Sequence, residues 1–387
     1  MAVVVQKYGG SSVADVPKLE RVAEKVVATR ASGLDVVVVI SAMGKTTDQL
    51  LALAHEVDAS PPRRELDMLL TTGERVSMSL LSMAIQKRGC DAISFTGSQS
   101  GIMTNDRHFD ARIIEVRPWR IEDELARGRV VIVAGYQGMS YRREITTLGR
   151  GGSDTTAIAL AAALGADRAE IYSDVDGVYS ADPRVVREAT HLAELTYEQM
   201  QEMAEAGAKV LNSTAVEFAK RARIAIHARS TFDAGRETVV HESAGAEAPA
   251  VVGRADLATI RVAAEALGAT LSHAGELGLG VRESALEGAH ACLVVATSAP
   301  GWASHRRALE ARGCSVEEGI GAVSVVAPEL GAKPAWMAAA MDALARAEIP
   351  LLGAHTAPLR WTGRIEARRV DDAVRAVHDA LGRMAER

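Results

Sequence analysis

The first 230 residues alternate short runs of β-branched and other apolar residues with longer segments of helical periodicity. Residues 3–7 form the first predicted strand, and residues 16–31 follow with apolar side chains at helical spacing. This alternation is typical of α/β proteins, and it predicts an open, mainly parallel sheet between helices. The other predicted strands are residues 36–40, 92–95, 130–134, 170–173 and 224–228, and the other predicted helices include residues 155–164 and 197–206.

A change of composition near residue 240 divides the chain. Residues 233–249 are small and polar, as in a linker between structured regions. We therefore predict two domains, residues 1–240 and residues 250–387, which a chain of 387 residues is long enough to form. In the second domain, residues 322–327 are predicted to form a strand and residues 336–347 and 371–381 helices, which indicates one or two small α+β units.

Charge and hydropathy exclude several classes of protein. The chain carries 44 basic and 50 acidic residues, a net charge of −6, and no long block of one sign, which disfavours nucleic-acid binding. Its longest apolar run is eight residues, 157–164, where a membrane span needs about 20. The apolar start, residues 2–5, is too short for a signal peptide, so we expect a cytoplasmic protein.

Metal ligands of the thiol or imidazole type are not arranged in any known spacing. The three cysteines are far apart and never in a CxxC pair, and the ten histidines are scattered. We therefore predict no metal site built from these side chains. A metal ion would have to be bound by oxygen ligands.

Two glycine-rich loops follow predicted strands and suit anions. In residues 7–12, KYGGSS, Gly9 and Gly10 allow close approach of the backbone to an anion, and Lys7 lies at the strand's end. A plain strand-to-helix turn with a solvated lysine is the alternative. In residues 149–154, GRGGSD, Arg150 could clamp a carboxylate, and Asp154 could cap the next helix or hold Mg²⁺ through water. A capped turn would not require three glycines and an arginine.

A third loop, residues 173–179, has the sequence SDVDGVY. Asp174 and Asp176 suggest an EF-hand calcium loop. With Gly177 at its sixth position, however, such a loop would begin at Tyr172 and end at Pro183, neither of which is a calcium ligand. We therefore reject a calcium site here.

Seven motifs, in this order along the chain, resemble those of the aspartate kinase family. The resemblance covers about residues 1–235. The motifs are residues 7–12 (KYGGSS), 41–44 (SAMG) with Thr47, 72–75 (TGER), 133–138 (VAGYQG), 148–154 (LGRGGSD), 173–179 (SDVDGVY) and 207–211 (GAKVL).

The resemblance implies the amino-acid kinase fold, with ATP and a carboxylate substrate bound over the carboxyl ends of the strands. The implied reaction is the Mg²⁺-assisted transfer of phosphate from ATP to L-aspartate, giving 4-phospho-L-aspartate, the first step towards amino acids such as lysine and threonine. A carboxylate is already ionised at pH 7 and needs no general base. Catalysis then consists of positioning and of neutralising charge on the transferring phosphoryl group.

Site residues carried over from the family fall into three groups. The implied catalytic residues are Lys7, which would contact the phosphates, and Asp154, which would organise Lys7 and the metal. The implied aspartate-binding residues are Ser41, Thr47, Glu74, Arg150 and Ser153, with Arg150 on the α-carboxylate and Glu74 on the ammonium group. The implied ATP-binding residues are Lys7, Gly9, Gly10, Ser173, Asp174, Tyr179, Arg184 and Lys209. Taken singly, Glu74 could form a surface pair with Arg75, Tyr179 could be a core aromatic and Lys209 a snorkelling helix cation.

The C-terminal part resembles the two ACT domains of shorter bacterial family members only weakly. The family's first ACT unit has a Pro-Gly pair that opens its helix and an Asn- or Asp-containing strand. Here residues 269–273, ATLSH, fall at the expected strand, so polar partners for an amino-acid effector are missing. We expect lysine and threonine to leave activity nearly unchanged, and the ACT-like region to hold a homodimer or a higher homo-oligomer.

Two alternatives remain open. One is another acyl-phosphate or nucleotide kinase of the same fold, such as an acetylglutamate or glutamate 5-kinase, against which the Glu74 and Arg150 contexts argue. The other is a catalytically silent effector-binding subunit. Such a subunit would not need Lys7, Asp154 and Lys209, all of which are present.

Overall fold

The computed structural model describes residues 2–149, 151–233, 235–243, 248–299 and 301–385. The chain forms two compact units. The first comprises Met1–Val178, His191–Ala204 and Lys209–Gly245, and the second comprises Tyr179–Thr190, Glu205–Ala208 and Ala246–Arg387. Two short segments that precede residue 240 thus belong to the second unit.

The chain up to residue 243 is a mixture of strands and helices. The strands are β1 (Val3–Tyr8), β2 (Asp35–Ile40), β3 (Ala92–Phe95), β4 (Ile102–Thr104), β5 (Ile113–Val116), β6 (Val130–Ala134), β7 (Gln137–Ser140), β8 (Ile145–Thr147), β9 (Arg168–Ser173), β10 (Val178–Tyr179), β11 (His191–Leu192), β12 (Glu194–Thr196), β13 (Ile226–Ser230) and β14 (Glu237–His241). The helices are α1 (Val16–Ala31), α2 (Thr46–Val57), α3 (Arg63–Leu70), α4 (Thr72–Gln86), α5 (Trp119–Ala126), α6 (Gly152–Ala163), α7 (Tyr197–Ala206) and α8 (Ser213–Ala222).

The main sheet of the first unit has the order β12-β14-β13-β9-β1-β2-β6-β3. Its pairs are parallel except β13 with β14. Strands β2 and β6 are continuous apolar runs, and nearly all of their residues are buried, as expected for parallel strands covered on both faces. A separate sheet has the order β5-β4-β7-β8.

Helices cover the two faces of the main sheet. Residues of α1 and α4 share a core with Val4 and Tyr8 of β1, whereas α6 contacts β1, β2 and β9 from the side to which Lys7 points. Strand β1 lies between β2 and β9, so the strands on its two sides are reached by chain connections that run in opposite directions along the sheet. The carboxyl ends of strands at such a switch point form a crevice in α/β sheets.

The second unit is built on one antiparallel sheet with the order β16-β17-β15-β18-β20-β19. Its strands are β15 (Ala250–Ala263), β16 (Val281–Glu287), β17 (His290–Ala296), β18 (Ser315–Val326), β19 (Gly353–Thr356) and β20 (Arg360–Glu366). Its helices are α9 (Leu267–Glu276), α10 (Trp302–Glu310), α11 (Pro334–Arg346) and α12 (Val370–Ala385).

Two large hydrophobic cores and a small cluster around Leu257 and Ile320 lie in the described part of the second unit. One core surrounds Ile260 and Leu293, and the other core surrounds Val323 and Trp361. The prediction of an α/β region followed by small α+β units is therefore confirmed. Within the described ranges, no helix combines the length and the apolar composition that crossing a membrane requires.

Two local predictions are wrong. Residues 269–273, expected in a strand, lie inside helix α9, where Thr270 and Ala274 are buried on one face at helical spacing. The helix expected to begin at Thr155 begins at Gly152, so Ser153 and Asp154 lie in its first turn. Gly151, in the left-handed conformation, is the residue before this helix, and the Asp154 carboxylate pairs with Lys7 instead of capping the helix.

Candidate active site

The ion pair of Lys7 and Asp154 lies at the carboxyl end of β1. Lys7 Nζ is 2.6 Å from Asp154 Oδ1, and each side chain is only 12% exposed. Lys7 is held in the middle of the sheet by its parallel partners on β2 and β9, and Asp154 by the first turn of α6. Partial burial strengthens the attraction between the charges and fixes the ammonium group towards the crevice.

The Gly9–Gly10 loop is held by the ends of both neighbouring strands. The Gly9 N–H donates to the Tyr172 carbonyl at 3.2 Å, and the Gly44 N–H donates to the Gly10 carbonyl at 3.0 Å. A Cβ atom at Gly10 would lie 2.9 Å from the Ala42 oxygen, closer than real Cβ atoms approach backbone. A Cβ atom at Gly9 would lie 3.5 Å from Lys7 Nζ. The loop thus brings bare backbone next to the ammonium group, which suits an anion.

Glu74, in the first turn of α4, carries a buried carboxylate. The residue is 2% exposed, and its Oε1 accepts a hydrogen bond from the Ala42 N–H at 3.2 Å. Its Oε2 is buried and has no hydrogen-bond partner among the described residues. Burial raises the pKa of this carboxyl to about 7. An oxygen of this kind fits a ligand that brings a hydrogen-bond donor or a positive charge.

Ser41 and Thr47 lie near the first turns of α4, which carry Glu74. The Ser41 N–H donates to the Tyr8 carbonyl at 3.1 Å, and the Ser41 carbonyl accepts from Ser77 Oγ at 2.8 Å. Thr47 lies half-buried in the first turn of α2. The end of β2 and the starts of α2 and α4 therefore meet here, since Gly73 packs against the Ala42 side chain.

Ser153 packs at the end of β6. A Cβ atom at Gly135 would come within 2.7 Å of Ser153 Oγ, so glycine is needed at this contact. Ser153 precedes Asp154 in α6 and is 9% exposed. Arg150 lies outside the described residues, so its contacts are not among these observations.

The predicted nucleotide residues are divided between the two units. Ser173 ends β9, with its carbonyl bonded to the Thr231 N–H at 2.8 Å, and Asp174 follows it in an exposed position. Lys209 is exposed between α7 and α8. Tyr179 and Arg184 belong to the second unit.

Two functional candidates do not emerge from the sequence analysis. Tyr136 is in the left-handed conformation, with φ of 69°, and burial together with the nearby Glu74 and Asp67 carboxylates raises its pKa to about 12. Asp67, in α3, is completely buried, and burial raises its pKa also. An acidic residue on the apolar face of a short helix, between Leu66 and Leu70, was the signal that could have identified Asp67.

Known protein sequences are similar to this chain over more than half of its length or over nearly its whole length. The profile of the amino acid kinase family matches residues 2–230. The aspartokinase of Mycobacterium tuberculosis (strain ATCC 25618 / H37Rv) is 59% identical over 241 residues, 62% of this chain and 57% of the mycobacterial protein. The chain thus spans little more than half the length of that relative. The aspartokinase of Bacillus sp. (strain MGA3) is 38% identical over 409 aligned positions, covering 98% of this chain and 97% of that protein.

A comparison by structure agrees on the fold. E. coli aspartokinase III, in a crystal structure with aspartate and ADP in the R-state, matches with a TM-score of 0.87 and 24% identity. The match covers 98% of this chain and 100% of that chain. The predicted fold, an amino-acid kinase sheet followed by ACT-like units, is thereby confirmed.

Proposed function

The chain belongs to the amino acid kinase family, within which it groups with the aspartokinases, and on this premise we propose that it phosphorylates L-aspartate. The reaction transfers the γ-phosphoryl group of ATP to the β-carboxylate and forms 4-phospho-L-aspartate and ADP. The observation that carries the proposal is the largely buried ion pair of Lys7 and Asp154. It lies at the carboxyl end of β1, beside the Gly9–Gly10 backbone.

Lys7 is proposed to stabilise the transition state. Its ammonium group faces the anion-binding loop, and charge spreads over the phosphoryl oxygens as the bond to the leaving group breaks. Asp154 fixes Lys7 at 2.6 Å, so that little reorganisation is needed during transfer. Because the aspartate β-carboxylate is already ionised, no general base is required.

Glu74 is proposed to bind the substrate's ammonium group. Its buried Oε2 lacks a hydrogen-bond partner among the described residues, and an ammonium group supplies both donors and the compensating charge. Arg150 is proposed to pair with the α-carboxylate. Thr47 and Ser153 are proposed to assist Arg150 and Glu74, and Ser41 to line the same pocket. Ser173, Asp174 and Tyr179 are proposed to hold the nucleoside, and Arg184 and Lys209 the phosphates of ATP.

Mg²⁺ fits this site as an ion whose ligands are mainly the phosphates of ATP. No cluster of three or more His, Cys, Asp or Glu that could hold a metal occurs in the described part of the chain. Asp154 offers one carboxylate in the crevice, and Mg²⁺ is commonly held by one or two carboxylates together with substrate phosphates and water. When bound with ATP, the ion would neutralise charge on the phosphates.

One assay separates the aspartate kinase from its alternatives. ATP turnover is followed in a coupled assay with L-aspartate, L-glutamate and N-acetylglutamate, and hydroxylamine traps any acyl phosphate. We expect hydroxamate with aspartate alone. Preference for glutamate or N-acetylglutamate would favour another acyl-phosphate kinase of the fold, and no turnover of any of the three would favour a silent effector-binding subunit.

We also propose that the protein works as a homodimer or a higher homo-oligomer held by its ACT-like region, and that it acts in the cytoplasm, where both of its proposed substrates are found. Sedimentation of the full chain at several concentrations tests the assembly. Weak or absent feedback by lysine and threonine is tested in the same assay by adding either amino acid.

A further inference from the structure

The buried carboxylate of Asp67 joins three separate segments of the first unit. It accepts hydrogen bonds from Thr147 Oγ1 at 2.6 Å and from the Phe109 N–H at 3.0 Å, and His108 Nδ1 lies 2.6 Å from its other oxygen. Asp67 itself lies on α3, while Thr147 ends β8 and the other two residues lie in the loop between β4 and β5. The residue is 0% exposed, so the charge is enclosed by these groups.

The segments that Asp67 joins surround the beginning of the GRGGSD loop. The Ala111 N–H donates to the Thr147 carbonyl at 2.8 Å. A Cβ atom at Gly149 would lie 3.1 Å from Asp110 Oδ1 and 3.5 Å from the Phe109 oxygen. Phe109 has a φ of 72°, which is unfavourable for a side chain of this kind and is supported here by its bond to Asp67. The carboxylate thus holds the segment of Phe109 and Asp110 against which Gly149 packs, and it also holds Thr147, two residues before Gly149.

Asp67 is also linked to the proposed ammonium site. Burial raises the pKa of Tyr136, and the Glu74 and Asp67 carboxylates add to this effect, so its phenol lies near both of them. The Leu148 N–H donates to the Tyr136 carbonyl at 2.9 Å. The backbone that follows Thr147 is thus held to Tyr136, a residue near both buried carboxylates.

An uncharged side chain would make these contacts less strongly than a carboxylate does. A carboxylate presents two oxygens that only accept hydrogen bonds, whereas an asparagine has one acceptor and one donor. Burying a carboxylate is costly unless it is well hydrogen-bonded, and here three donor groups surround it. The cost of such a residue points to a role beyond packing.

We propose that Asp67 is a positioning residue for the amino-acid substrate, acting through Thr147, Phe109 and Tyr136 on the walls of the aspartate pocket without touching aspartate. The proposal rests on the proposed function. It predicts that loosening the cluster affects the binding of aspartate and not that of ATP or the phosphoryl transfer.

Three variants test the proposal, with one matched control. Asp67→Asn weakens every contact, Thr147→Val removes one hydrogen bond, and His108→Ala removes a partly exposed partner. Thr146→Val is the control, because Thr146 is as buried as Thr147 and its hydroxyl pairs with Thr104 Oγ1 at 2.6 Å, away from Asp67.

We expect Thr147→Val and His108→Ala to raise the KM for aspartate about fivefold or more, and Asp67→Asn about tenfold or more, as for lost hydrogen bonds to a buried charge. The kcat and the KM for ATP should change by less than about twofold. The control should leave all three constants unchanged even if its melting temperature falls. Equal KM changes for both substrates, or an unchanged KM for aspartate in Thr147→Val, would overturn the proposal.

Amide hydrogen exchange gives a readout that does not depend on turnover. Thr147→Val should speed exchange in residues 105–112 and 147–149 but not in residues 40–44. The control, Thr146→Val, should leave exchange in all of these residues unchanged. If the wild-type protein phosphorylates none of the tested substrates, the proposed function fails. Unchanged exchange at residues 147–149 in Thr147→Val contradicts the positioning role in either case.

Discussion

At the scale of single residues, the charge of Lys7 is the group on which the proposed chemistry most depends. We expect Lys7→Ala to lower kcat by about 10²- to 10³-fold with little change in the KM for aspartate, because the charge acts mainly in the transition state. Steady-state kinetics of the folded variant checks this. Lys87→Ala is the control, since Lys87 is a surface lysine with a side chain 72% exposed. A Lys7→Ala enzyme with normal kcat would remove Lys7 from the mechanism.

The Glu74 carboxyl makes aspartate binding depend on pH. Its pKa is about 7 without a ligand, and the substrate's ammonium group needs the ionised form. We expect the KM for aspartate to fall about tenfold per pH unit as the pH rises towards 7, and to level off above it. In Glu74→Gln the KM should be high and nearly independent of pH. A wild-type KM that is flat between pH 5.5 and 7 would contradict this.

The same group affects stability with a defined sign. Between the pKa of an unfolded glutamate and about 7, the folded protein retains a proton that the unfolded chain has lost. This contribution therefore favours folding at low pH and is lost as the pH rises through that range, by about 1.4 kcal/mol per pH unit at most. The melting temperature of Glu74→Gln relative to wild type should accordingly increase between pH 5 and pH 8.

At the scale of elements, the end of helix α9 can be tested by replacing two glycines, Gly275 inside the helix and Gly278 just after it. A Cβ atom at Gly275 or Gly278 would meet no atom within 4 Å, but only Gly278, just after the helix, has a positive φ, of 71°. We expect Gly275→Ala to stabilise the protein by about 0.5–1 kcal/mol and Gly278→Ala to destabilise it by about 1 kcal/mol. Denaturant unfolding measures both. Equal effects of the two substitutions would argue against a helix that ends between them.

Helix α9 also changes the argument about regulation. The expected insensitivity to lysine and threonine depended on residues 269–273 lying in a strand that lacks the Asn or Asp of the family's first ACT unit. These residues are helical, so their composition carries no information about a strand that could bind an effector. Insensitivity stays a prediction, without support from this segment.

The elements that were predicted correctly have a clear pattern of apolar residues in the sequence. Strands 92–95 and 130–134 and helix 16–31 agree with β3, β6 and α1 residue for residue. The apolar run of β6, which is buried on both faces, and the long amphipathic period of α1 leave few alternatives. The sheet β5-β4-β7-β8 was missed because its strands are short and no helix separates β4 from β5 or β7 from β8, so the alternation of strands and helices does not mark them.

Prediction of the site was limited in a similar way. Lys7, Asp154 and Glu74 belong to recognisable motifs, and the structure places the first two in direct contact. Asp67 belongs to no motif, because its role depends on partners 41, 42 and 80 positions away that only the fold brings together.

At the scale of the whole molecule, the edges of the second unit's sheet bear on assembly. In the part of the chain that the structure describes, β16 pairs only with β17 and β19 only with β20. An edge strand presents unpaired backbone groups that can pair with another chain. Leu286, on β16, is 63% exposed, so this edge also offers apolar surface to a second copy.

We therefore expect Leu286→Lys to weaken the proposed homodimer by at least about tenfold in its dissociation constant, because a buried leucine contributes roughly 1.5–3 kcal/mol and a lysine at an edge strand opposes pairing. Analytical ultracentrifugation of the full chain over a range of concentrations measures this. Val57→Lys is the control, since Val57 is 85% exposed at the end of α2 in the first unit. If Leu286→Lys dissociates no more than the control, the contact between copies does not involve β16. If the wild-type chain is monomeric at micromolar concentration, the proposal of a homodimer fails altogether.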